Sequence, residues 1–393
     1  MTVVKSVKRD RSSFMERVFI VDSARTAIGK FGGIFSNILP EYLGGDLLKK
    51  LLARQHLSRV DEVIVGNIIG GGGNVGRRLA LASGLAVTTP ALTIDRQCAS
   101  GLESLVVATA KIKSGMASCI ACGGVESTSR SPWLIERPAK LFGGPPKIIE
   151  RAALSIDAYG DPAMGEACEA LADRLQISRV QQDAYAYQSQ VKYQQANQSG
   201  TFKDEIIAVK QATADESPRA DTNLKKLAAL PAVFKENGTL TAGNSSPLND
   251  GAAFVIIASE SFCKANQLQP LFEVVDGVSV GTLPEDFGLG PVYATEKLLA
   301  KQGLAISEID RIELNEAFAS QALACIQTAG WQEARVNRSG GALAFGHPFG
   351  ATGTILVRRL MTELEKRPTL KTGLVTMCVG GGQGTSLLLR KVD

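Results

Sequence analysis

Cys98 is the residue whose setting best suits nucleophilic chemistry. It lies in the segment DRQCASG, between an extended apolar run and the helical pattern CASGLESLVVATAKI. A thiol at a strand-to-helix turn faces unpaired helical N–H groups and the positive end of the helix dipole, which lower its pKa from about 8.5. We therefore predict a nucleophile whose pKa is shifted toward neutrality. A buried structural cysteine is the alternative.

The chain of 393 residues has only two histidines, so histidine-dependent chemistry has few candidates. His347 lies in SGGALAFGHPFGATG, where small residues surround the ring and Pro348 stiffens the chain. This setting favours a base or hydrogen-bond donor over a structural histidine. His56, in LLARQHLSRVDE, is expected to be exposed to solvent.

Two further residues could assist such chemistry. Cys378 ends the apolar run GLVTM and precedes VGGGQG, whose glycines can turn backbone N–H groups toward a developing oxyanion. As a second thiol it could act as an acid or base, although a core cysteine is the alternative. Asn315, in IELNEAFA, follows an extended run, where open α/β folds bind ligands; capping a helix is a compatible role.

Two patterns resemble cofactor or metal motifs. GGGNVG at residues 71–76, followed by Asp95, matches a dinucleotide-binding fingerprint and leaves an NAD(P)-dependent oxidoreductase as an alternative. The helix after it is short and begins with two arginines, and Asp95 leads into the Cys98 turn, so the fingerprint is weak. Cys119 and Cys122 form a CxxC, but in a strand they point to opposite faces, and we predict no metal site.

Composition excludes several classes of protein. Forty-three Lys and Arg against 39 Asp and Glu leave a net charge of +4, too balanced for a general polyanion surface, so we expect neither a nucleic-acid nor a membrane partner. Seven cysteines without dense spacing indicate a reducing compartment. No run approaches the roughly 18 apolar residues of a membrane-spanning helix, and no secretory signal is recognisable. These features predict a cytoplasmic protein.

Apolar, β-branched runs alternate with helical patterns, which indicates an α/β sheet with covered faces. The runs are RVFIVDSA, DEVIVGNII, PALTID, SCIACGG, FVIIAS, FEVVDGVSV, RIELNEA and GLVTMCVGG. Residues 126–240 are richer in Pro, Gln and charge, and we predict helices and loops inserted between two sheet-forming halves. The N-terminal half would be 17–125, completed by about 241–268, the C-terminal half 269–393, and residues 1–16 a flexible extension.

The two halves look like copies of each other. LSRVDEVIVGN at 57–67 aligns with ISEIDRIELNE at 306–316, at an offset of 249 residues (306 − 57). The same offset places Cys98 opposite His347 (347 − 98 = 249). We predict a duplicated α/β unit whose equivalent turns face one cleft. Chance similarity is the alternative.

Several segments together resemble the thiolase family, from about Arg17 to the C terminus and in the order expected of that family. They are VDSARTAIGKFGG, DRQCASGLES, GGVESTS, TAGNSSPLNDGAA, NEAFA, GGALAFGHPFGATG and CVGGGQG. The resemblance implies two similar α/β/α/β/α layered halves with a loop domain between them. It also implies an acyltransferase that moves an acyl group between acyl-CoA and CoA through a cysteine acyl-enzyme.

By this resemblance, Cys98 becomes the acyl-enzyme and His347 accepts its proton. Cys378 exchanges a proton with the α-carbon of the acyl-CoA. Asn315 holds a water that forms one oxyanion hole with His347, and the backbone N–H groups of Cys98 and Gly380 form the other. Covalent catalysis splits one difficult C–C step into two, each of which generates an oxyanion that needs donors.

The resemblance implies that coenzyme A is a co-substrate, with no permanently bound cofactor. Ser246 matches the serine that meets the pantetheine arm, and Arg219 matches an arginine facing the nucleotide phosphates. Phe318 and Met164 match residues that wall the acyl and pantetheine tunnel. Thiolases are usually homodimers or homotetramers.

Two departures from the family pattern bear on the substrate. Residues 163–165 read Ala-Met-Gly where enzymes that make acetoacetyl-CoA commonly have His-Met-Gly, and 96–98 read Arg-Gln-Cys, as in degradative thiolases. We therefore predict 3-ketoacyl-CoA thiolysis in fatty acid metabolism. Biosynthetic condensation to acetoacetyl-CoA is the alternative, and a non-catalytic acyl-CoA carrier is a third possibility.

Overall fold

The computed structural model describes residues 16–140 and 142–392, so residues 1–15 of the extension predicted from sequence lie outside the described residues. The strands are β1 Val18–Arg25, β2 Gly29–Lys30, β3 Glu62–Gly66, β4 Ala91–Ile94, β5 Cys119–Ser127, β6 Leu134–Glu136, β7 Lys147–Ile149, β8 Asn249–Ser259, β9 Phe272–Gly281, β10 Arg311–Leu314, β11 Thr372–Val379 and β12 Gln383–Lys391. The α-helices are α1 Pro40–Arg54, α2 Val75–Ala82, α3 Ser100–Lys113, α4 Met164–Arg174, α5 Arg179–Gln198, α6 Leu224–Ala228, α7 Glu260–Asn266, α8 Gly290–Gln302, α9 Ala319–Ala329, α10 Ala342–Phe345 and α11 Phe349–Glu365.

Each of the eight apolar runs predicted as a strand forms one: β1, β3, β4, β5, β8, β9, β10 and β11. The sequence analysis missed β12, although TSLLLRKV is an apolar run at the end of the chain. This strand pairs antiparallel with both β11 and β9, so it is central to its sheet. A run that directly follows a glycine-rich turn after another strand indicates a hairpin partner, and that pattern could have revealed β12.

The main sheet has the order β10-β11-β12-β9-β1-β8-β5-β3-β4, with β2 on β8. Its two ends repeat one pattern. β3 is parallel to β4 and β5, β5 is antiparallel to β8, and β8 is antiparallel to β1. Likewise β10 is parallel to β11 and bridges Val336 in parallel, β11 is antiparallel to β12, and β12 is antiparallel to β9. The predicted duplication is confirmed by this topology.

The offset of 249 residues also holds for elements. β3 begins at Glu62 and β10 at Arg311 (311 − 62 = 249), while α3 begins at Ser100 and α11 at Phe349 (349 − 100 = 249). The two half-sheets meet at β1 and β9, where Phe19 pairs with Glu273. Helices α3 and α11 are therefore equivalent elements of the two halves.

Three hydrophobic clusters define five layers. One cluster joins α3 and α11 to inward-facing residues of both half-sheets, among them Ile120 and Val375, and these helices form the central layer. A second cluster packs α1 and α2 on the outer face of the N-terminal half-sheet. A third packs α8 and α9 on the outer face of the C-terminal half-sheet. Two sheets with helices outside and between them give the α/β/α/β/α arrangement expected from the sequence.

The CxxC pair illustrates this layering. Cys122 belongs to the central cluster, whereas Cys119 belongs to the outer cluster of the N-terminal half, so the two thiols lie on opposite faces of β5 as predicted. Within residues 16–140 and 142–392, no group of three or more His, Cys, Asp or Glu side chains is arranged to hold a metal ion. No helix in this described part of the chain is long and apolar enough to cross a membrane.

Between β5 and β8 the chain forms the β6–β7 hairpin and helices α4, α5 and α6. Ser178 caps α5 by accepting the N–H of Gln181. The inserted segment is fastened to β1 by Arg25, whose fully buried guanidinium pairs with Glu205 at 2.9 Å and Asp215 at 2.7 Å. Such a fully enclosed ion pair fixes geometry, because either partner alone would be an uncompensated buried charge.

Candidate active site

The turn that carries Cys98 is held by its own neighbours. Gln97 has a left-handed backbone with φ of 45°, and its N–H donates to Asp95 Oδ1 at 2.7 Å. Ser100 Oγ accepts the N–H of Arg96 at 2.8 Å and donates to Gln97 O at 2.7 Å. A left-handed non-glycine residue beside a reactive group is a known way of aiming a side chain. Here it places Cys98 directly before α3, with 6% of its surface exposed.

Burial determines the protonation of Cys98. It raises the thiol pKa to about 11, and the negative charges of Glu126 and Asp95 act in the same direction. The backbone of Gly380 lowers the pKa of this thiol, which opposes the shift without cancelling it. The expected shift toward neutrality was therefore wrong, because loss of solvent outweighs the backbone N–H groups at the start of α3. Cys98 is a neutral thiol in the free protein.

The turn that carries His347 depends on a glycine. Gly346 has φ of 109°, and a Cβ there would lie 2.3 Å from Asn249 Oδ1. That same oxygen accepts the backbone N–H of His347 at 2.9 Å. Only glycine combines this conformation with so close an approach. Asn249, at the start of β8, thus fixes the backbone of the histidine.

The ring of His347 is held in one tautomer. Thr352 Oγ1 lies 2.7 Å from Nδ1, and the Thr352 hydroxyl donates to Pro348 O at 2.9 Å. Because the hydroxyl proton is committed to this carbonyl, Nδ1 carries the ring proton and Nε2 carries the lone pair. Burial lowers the pKa of His347 to about 3, so the ring is neutral. His347 can therefore accept a proton at Nε2.

Asn315 follows β10 and lies beside His347. Its backbone N–H donates to Thr376 O at 3.0 Å, and its Nδ2 lies 3.4 Å from His347 Nε2. Asn315 is fully buried, and its Oδ1 has no hydrogen-bond partner among residues 16–140 and 142–392. A buried carbonyl oxygen in this state is suited to binding a water or a substrate group.

Cys378 is in β11, with no solvent exposure. Burial raises its pKa well above the usual value, and the neighbouring thiol of Cys98 raises it further. Cys378 is thus a second neutral thiol close to the first. It belongs to an apolar cluster with Phe318, against which Met164 packs, so these three predicted site residues lie together.

Glycines in the central layer bring together the turns that carry Cys98 and His347. A Cβ at Gly101 would lie 2.6 Å from Gly350 O, and a Cβ at Gly353 would lie 2.4 Å from the backbone nitrogen of Leu102. The starts of α3 and α11 therefore touch backbone to backbone. Cys98 and His347 each stand two residues before these starts. The turns that carry Cys98 and His347 therefore lie next to each other, while the common cleft remains a prediction.

A loop from the insertion covers Gly380. A Cβ at Gly380 would lie 3.1 Å from Leu154 Cδ1 and 3.6 Å from Met164 Sδ. The loop is closed by Arg151, which pairs with Asp161 at 2.7 Å. Apolar side chains thus wall the space next to the Gly380 N–H.

A cavity of about 380 Å³ opens beside this site. Its lining includes Lys30, Arg219, Ser245 and Leu248, and Leu248 forms a backbone bridge with His347. The exposed Arg219 therefore lines a cavity one wall of which, Leu248, is bridged to the histidine. Ser246 is adjacent to lining residues, and its N–H donates to Ala317 O at 3.0 Å. Lys30 and Ser245 were not identified from sequence.

Three supporting residues were also missed, namely Glu126, Asn249 and Thr352. Each lies inside a quoted motif, respectively GGVESTS, TAGNSSPLNDGAA and GGALAFGHPFGATG. Glu126 is the clearest omission, because a carboxylate near the end of a buried apolar strand needs hydrogen-bond donors. That feature of the sequence could have identified it.

The dinucleotide-like segment is a turn. Gly71, Gly72 and Gly73 all have positive φ, and Asn74 caps α2 by accepting the N–H of Arg77 at 3.0 Å. The acid of this pattern, Asp95, is already engaged in the Cys98 turn. His56, the other histidine, is exposed as predicted.

Two family models match the chain. One, described as Thiolase, N-terminal domain, covers residues 18–261, and the other, Thiolase, C-terminal domain, covers residues 268–391. An acetyl-CoA acetyltransferase of Pseudomonas aeruginosa is 40% identical over 395 residues, spanning 96% of this chain and 100% of the relative. A beta-ketoadipyl-CoA thiolase of Acinetobacter baylyi is 38% identical over 402 residues, with the same coverage.

Solved structures give the same result. The acetyl-CoA acetyltransferase of Bacillus anthracis superposes with a TM-score of 0.91 at 35% identity, over 96% of this chain and 99% of that one. Human mitochondrial 3-ketoacyl-CoA thiolase in complex with CoA gives a TM-score of 0.91 at 35% identity, with the same coverage.

Proposed function

The chain belongs to the thiolase family, and we propose that within this family it cleaves 3-ketoacyl-CoA with CoA through an acyl-enzyme on Cys98. Thiolases are acyltransferases that move an acyl group between acyl-CoA and CoA, with CoA as a co-substrate and without a permanent cofactor. The observation that supports these roles is the backbone contact between the starts of α3 and α11, which follow Cys98 and His347, together with the interaction of the Cys378 thiol with Cys98.

The first half-reaction begins with proton transfer. His347 Nε2 takes the proton of the Cys98 thiol as the sulfur attacks the 3-keto carbon of the substrate. The backbone N–H groups of Cys98 and Gly380 donate to the new oxyanion, while the imidazolium and a water held at Asn315 donate to the enolate oxygen of the leaving acetyl-CoA. When this tetrahedral intermediate collapses, the C2–C3 bond breaks and the acyl group remains on Cys98. The leaving enolate of acetyl-CoA takes the proton of the Cys378 thiol.

The second half-reaction returns the enzyme to its starting state. The Cys378 thiolate takes the thiol proton of CoA, and the CoA sulfur attacks the acyl carbon on Cys98. The backbone N–H groups of Cys98 and Gly380 stabilise the oxyanion. The backbone of both residues already acts to lower the pKa of the Cys98 thiol in the free protein. Collapse releases acyl-CoA, and the Cys98 sulfur recovers its proton from His347.

For the substrates, we propose that the cavity at Arg219 and Ser246 receives CoA, with the guanidinium facing its phosphates and Ser246 facing the pantetheine arm. Met164 and Phe318 line the acyl end of this path, consistent with their packing near Cys378. Ala163 supplies no polar contact for a short acyl thioester, which favours acyl chains longer than acetoacetyl. Condensation of two acetyl-CoA molecules is the second candidate, supported by the acetyl-CoA acetyltransferases among the relatives.

We propose four further properties that rest on the sequence. The chain is a homodimer or homotetramer in the cytoplasm, and it acts in fatty acid metabolism. It divides into an N-terminal half at 17–125 completed by about 241–268, an inserted loop domain at 126–240, and a C-terminal half at 269–393.

Thiolysis tests this function directly. Purified protein is mixed with CoA and 3-ketoacyl-CoAs of several chain lengths, and the loss of the ketoacyl enolate absorbance is followed. We expect the rate to rise with chain length and an acyl adduct on Cys98 in peptide mass spectra. A maximum at four carbons would favour the acetoacetyl-CoA enzyme instead. Acyl-CoA binding without turnover, equal in wild type and Cys98→Ala, would support a carrier.

A further inference from the structure

Glu126 is a buried carboxylate with no role in the steps above. It is the penultimate residue of β5 and has no solvent exposure. Oε1 accepts Asn67 Nδ2 at 2.8 Å and the N–H of Ile69 at 3.4 Å, while Oε2 accepts the N–H groups of Ile68 at 3.1 Å and Gly350 at 3.0 Å. Four N–H donors and no hydrogen-bond acceptor contact it in the described residues. This arrangement favours the charged form.

One of these donors belongs to the helix that follows the catalytic histidine. Gly350 is the second residue of α11, which begins after Pro348 with no side-chain cap and no acidic residue in its first turn. A helix start exposes unpaired N–H groups and a partial positive charge. In α3, the equivalent helix, Glu103 provides first-turn negative charge from within the helix. For α11, Glu126 provides it from the other half of the molecule.

The first turn of α11 also holds the imidazole. Thr352, which accepts the Nδ1 proton of His347, is the fourth residue of this helix, so displacement of the turn displaces the ring. We propose that Glu126 is a positioning residue: its carboxylate completes the first turn of α11 and thereby fixes His347 opposite Cys98. The inference rests on the roles proposed for Cys98 and His347.

The charge of Glu126 also reaches the nucleophile. Burial raises the pKa of Glu126 to about 7, and its N–H donors act in the opposite direction. When ionised, the carboxylate disfavours a thiolate at Cys98. The elements packed against β5 carry further titratable or charged groups, namely Glu41, Tyr42, Asp46, Lys49, Lys50 and Arg54 on α1, Glu62 on β3, Glu103, Lys111 and Lys113 on α3, Asp250 on β8, and Arg358, Arg359, Glu363 and Glu365 on α11, with Asp95 and Cys98 just ahead of α3 and His347 just ahead of α11. Of these, Asp95 raises the pKa of Glu126 further.

The test compares Glu126→Gln and Glu126→Asp with wild type in two measurements on the full chain. The first is thiolysis, with kcat and KM separated. The second is the rate of Cys98 alkylation by iodoacetamide against pH without substrate, read by peptide mass spectrometry. For Glu126→Gln we expect kcat to fall about 10- to 100-fold with KM within about threefold, because the base is displaced while binding groups remain. Its alkylation midpoint should move to lower pH, because a negative charge near the thiol is lost.

Glu126→Asp keeps the charge but shortens the reach to Gly350. We expect kcat to fall while the pH midpoint of Cys98 alkylation stays at the wild-type value. Loss of folding would not lower kcat and leave this midpoint unchanged. The matched control is Asp61→Asn, at the opposite end of β5, where Asp61 Oδ2 accepts the N–H groups of Ser118 and Cys119. This control should match wild type in both measurements.

Wild-type kcat and an unchanged midpoint in Glu126→Gln would overturn the inference. If circular dichroism shows that Glu126→Gln does not fold, Glu126→Asp decides, and wild-type kcat in that variant overturns it. Absence of thiolysis in wild type would count against the proposed function instead. The alkylation midpoint of Glu126→Gln needs no substrate, so in that case an unchanged midpoint would still overturn this inference and a lowered one would support it.

Discussion

The turn before α3 and the turn before α11 occupy equivalent places in the duplicated halves, but they are built differently. The first is bent by Gln97, a non-glycine residue with φ of 45°, and is tied by Asp95 within its own segment. The second is bent by Gly346, with φ of 109°, and is tied by Asn249 from a distant strand. The conformation of the turn before α3 is therefore fixed by residues of its own segment, whereas that of the turn before α11 depends on a residue from the other half.

Burial has opposite consequences in the two turns. It raises the pKa of Cys98 to about 11 and lowers that of His347 to about 3, so both side chains are neutral. Duplication has thus given one buried acid and one buried base at equivalent positions. The free protein holds no ion pair between them. Charge separation must be stabilised by the substrate oxyanion and the donors around it.

The largest expected effect comes from removing the acid of this pair. Cys98→Ala should lower the rate of thiolysis by a factor of about 10⁴ or more, because the covalent route is lost. The same enolate absorbance assay measures it. Cys263→Ala, which removes a buried thiol in the outer cluster of the N-terminal half, is the control and should keep wild-type activity. Residual activity close to wild type in Cys98→Ala would refute the division of roles between the turns.

The two backbone bends can be compared by exchanging their residue types. Gly346→Ala should lower the free energy of unfolding by about 2–4 kcal/mol, because the new Cβ displaces Asn249 and strains a positive φ. Gln97→Gly should change it by no more than about 1 kcal/mol, because relief of strain offsets the added entropy of the unfolded chain. Urea unfolding measures both. Equal losses would show that the two turns are held in the same way.

The tautomer of His347 can be tested without removing the ring. Thr352→Val deletes the acceptor for Nδ1 and should lower kcat about 10- to 30-fold, since an unpaired buried N–H costs about 1–3 kcal/mol. The control is Thr362→Val, near the other end of α11, where the hydroxyl contacts Arg358. Equal kcat in the two variants would mean that the Thr352 contact does not fix the tautomer of His347.

The smallest effect is a pH dependence of stability. Unfolded histidine takes up a proton near pH 6.5, whereas buried His347 does not until about pH 3, so stability falls as pH decreases through this window. In His347→Gln the slope between pH 6.5 and 5 should be smaller, by at most about 1.4 kcal/mol per pH unit. His56→Gln removes the exposed histidine and serves as the control. Denaturant titrations at each pH measure the slope of the unfolding free energy against pH. The same slope in His347→Gln as in wild type would contradict the burial of the ring.

The fold was predictable because its signals are local or periodic. Apolar runs identified eight strands, and a constant offset identified the duplication that pairs Cys98 with His347. The strand that the sequence analysis missed is β12. Its position directly after a glycine-rich turn is a local signal, whereas its pairing with β9 joins residues about 100 positions apart in the chain and has no local signal.

The site was only partly predictable for a physical reason. Residue types and spacing identify Cys98 and His347 as candidates, but pKa values depend on burial, which arises only when two half-sheets enclose the central layer. The backbone N–H groups at the start of α3 suggested an acidic thiol; burial reversed that prediction. Glu126 was overlooked because its donors, such as Ile68 and Gly350, come from segments distant in sequence.

The central layer also has a consequence for synthesis of the protein. Cys98 is made long before residues 347–380, which contain His347, Cys378 and Gly380. β1 pairs with β8 and β9, more than 220 residues further along the chain, so this half-sheet closes late. A nascent chain therefore carries the Cys98 thiol before His347 and Cys378 have been made. The candidate active site is complete only when the last helix and hairpin have been translated.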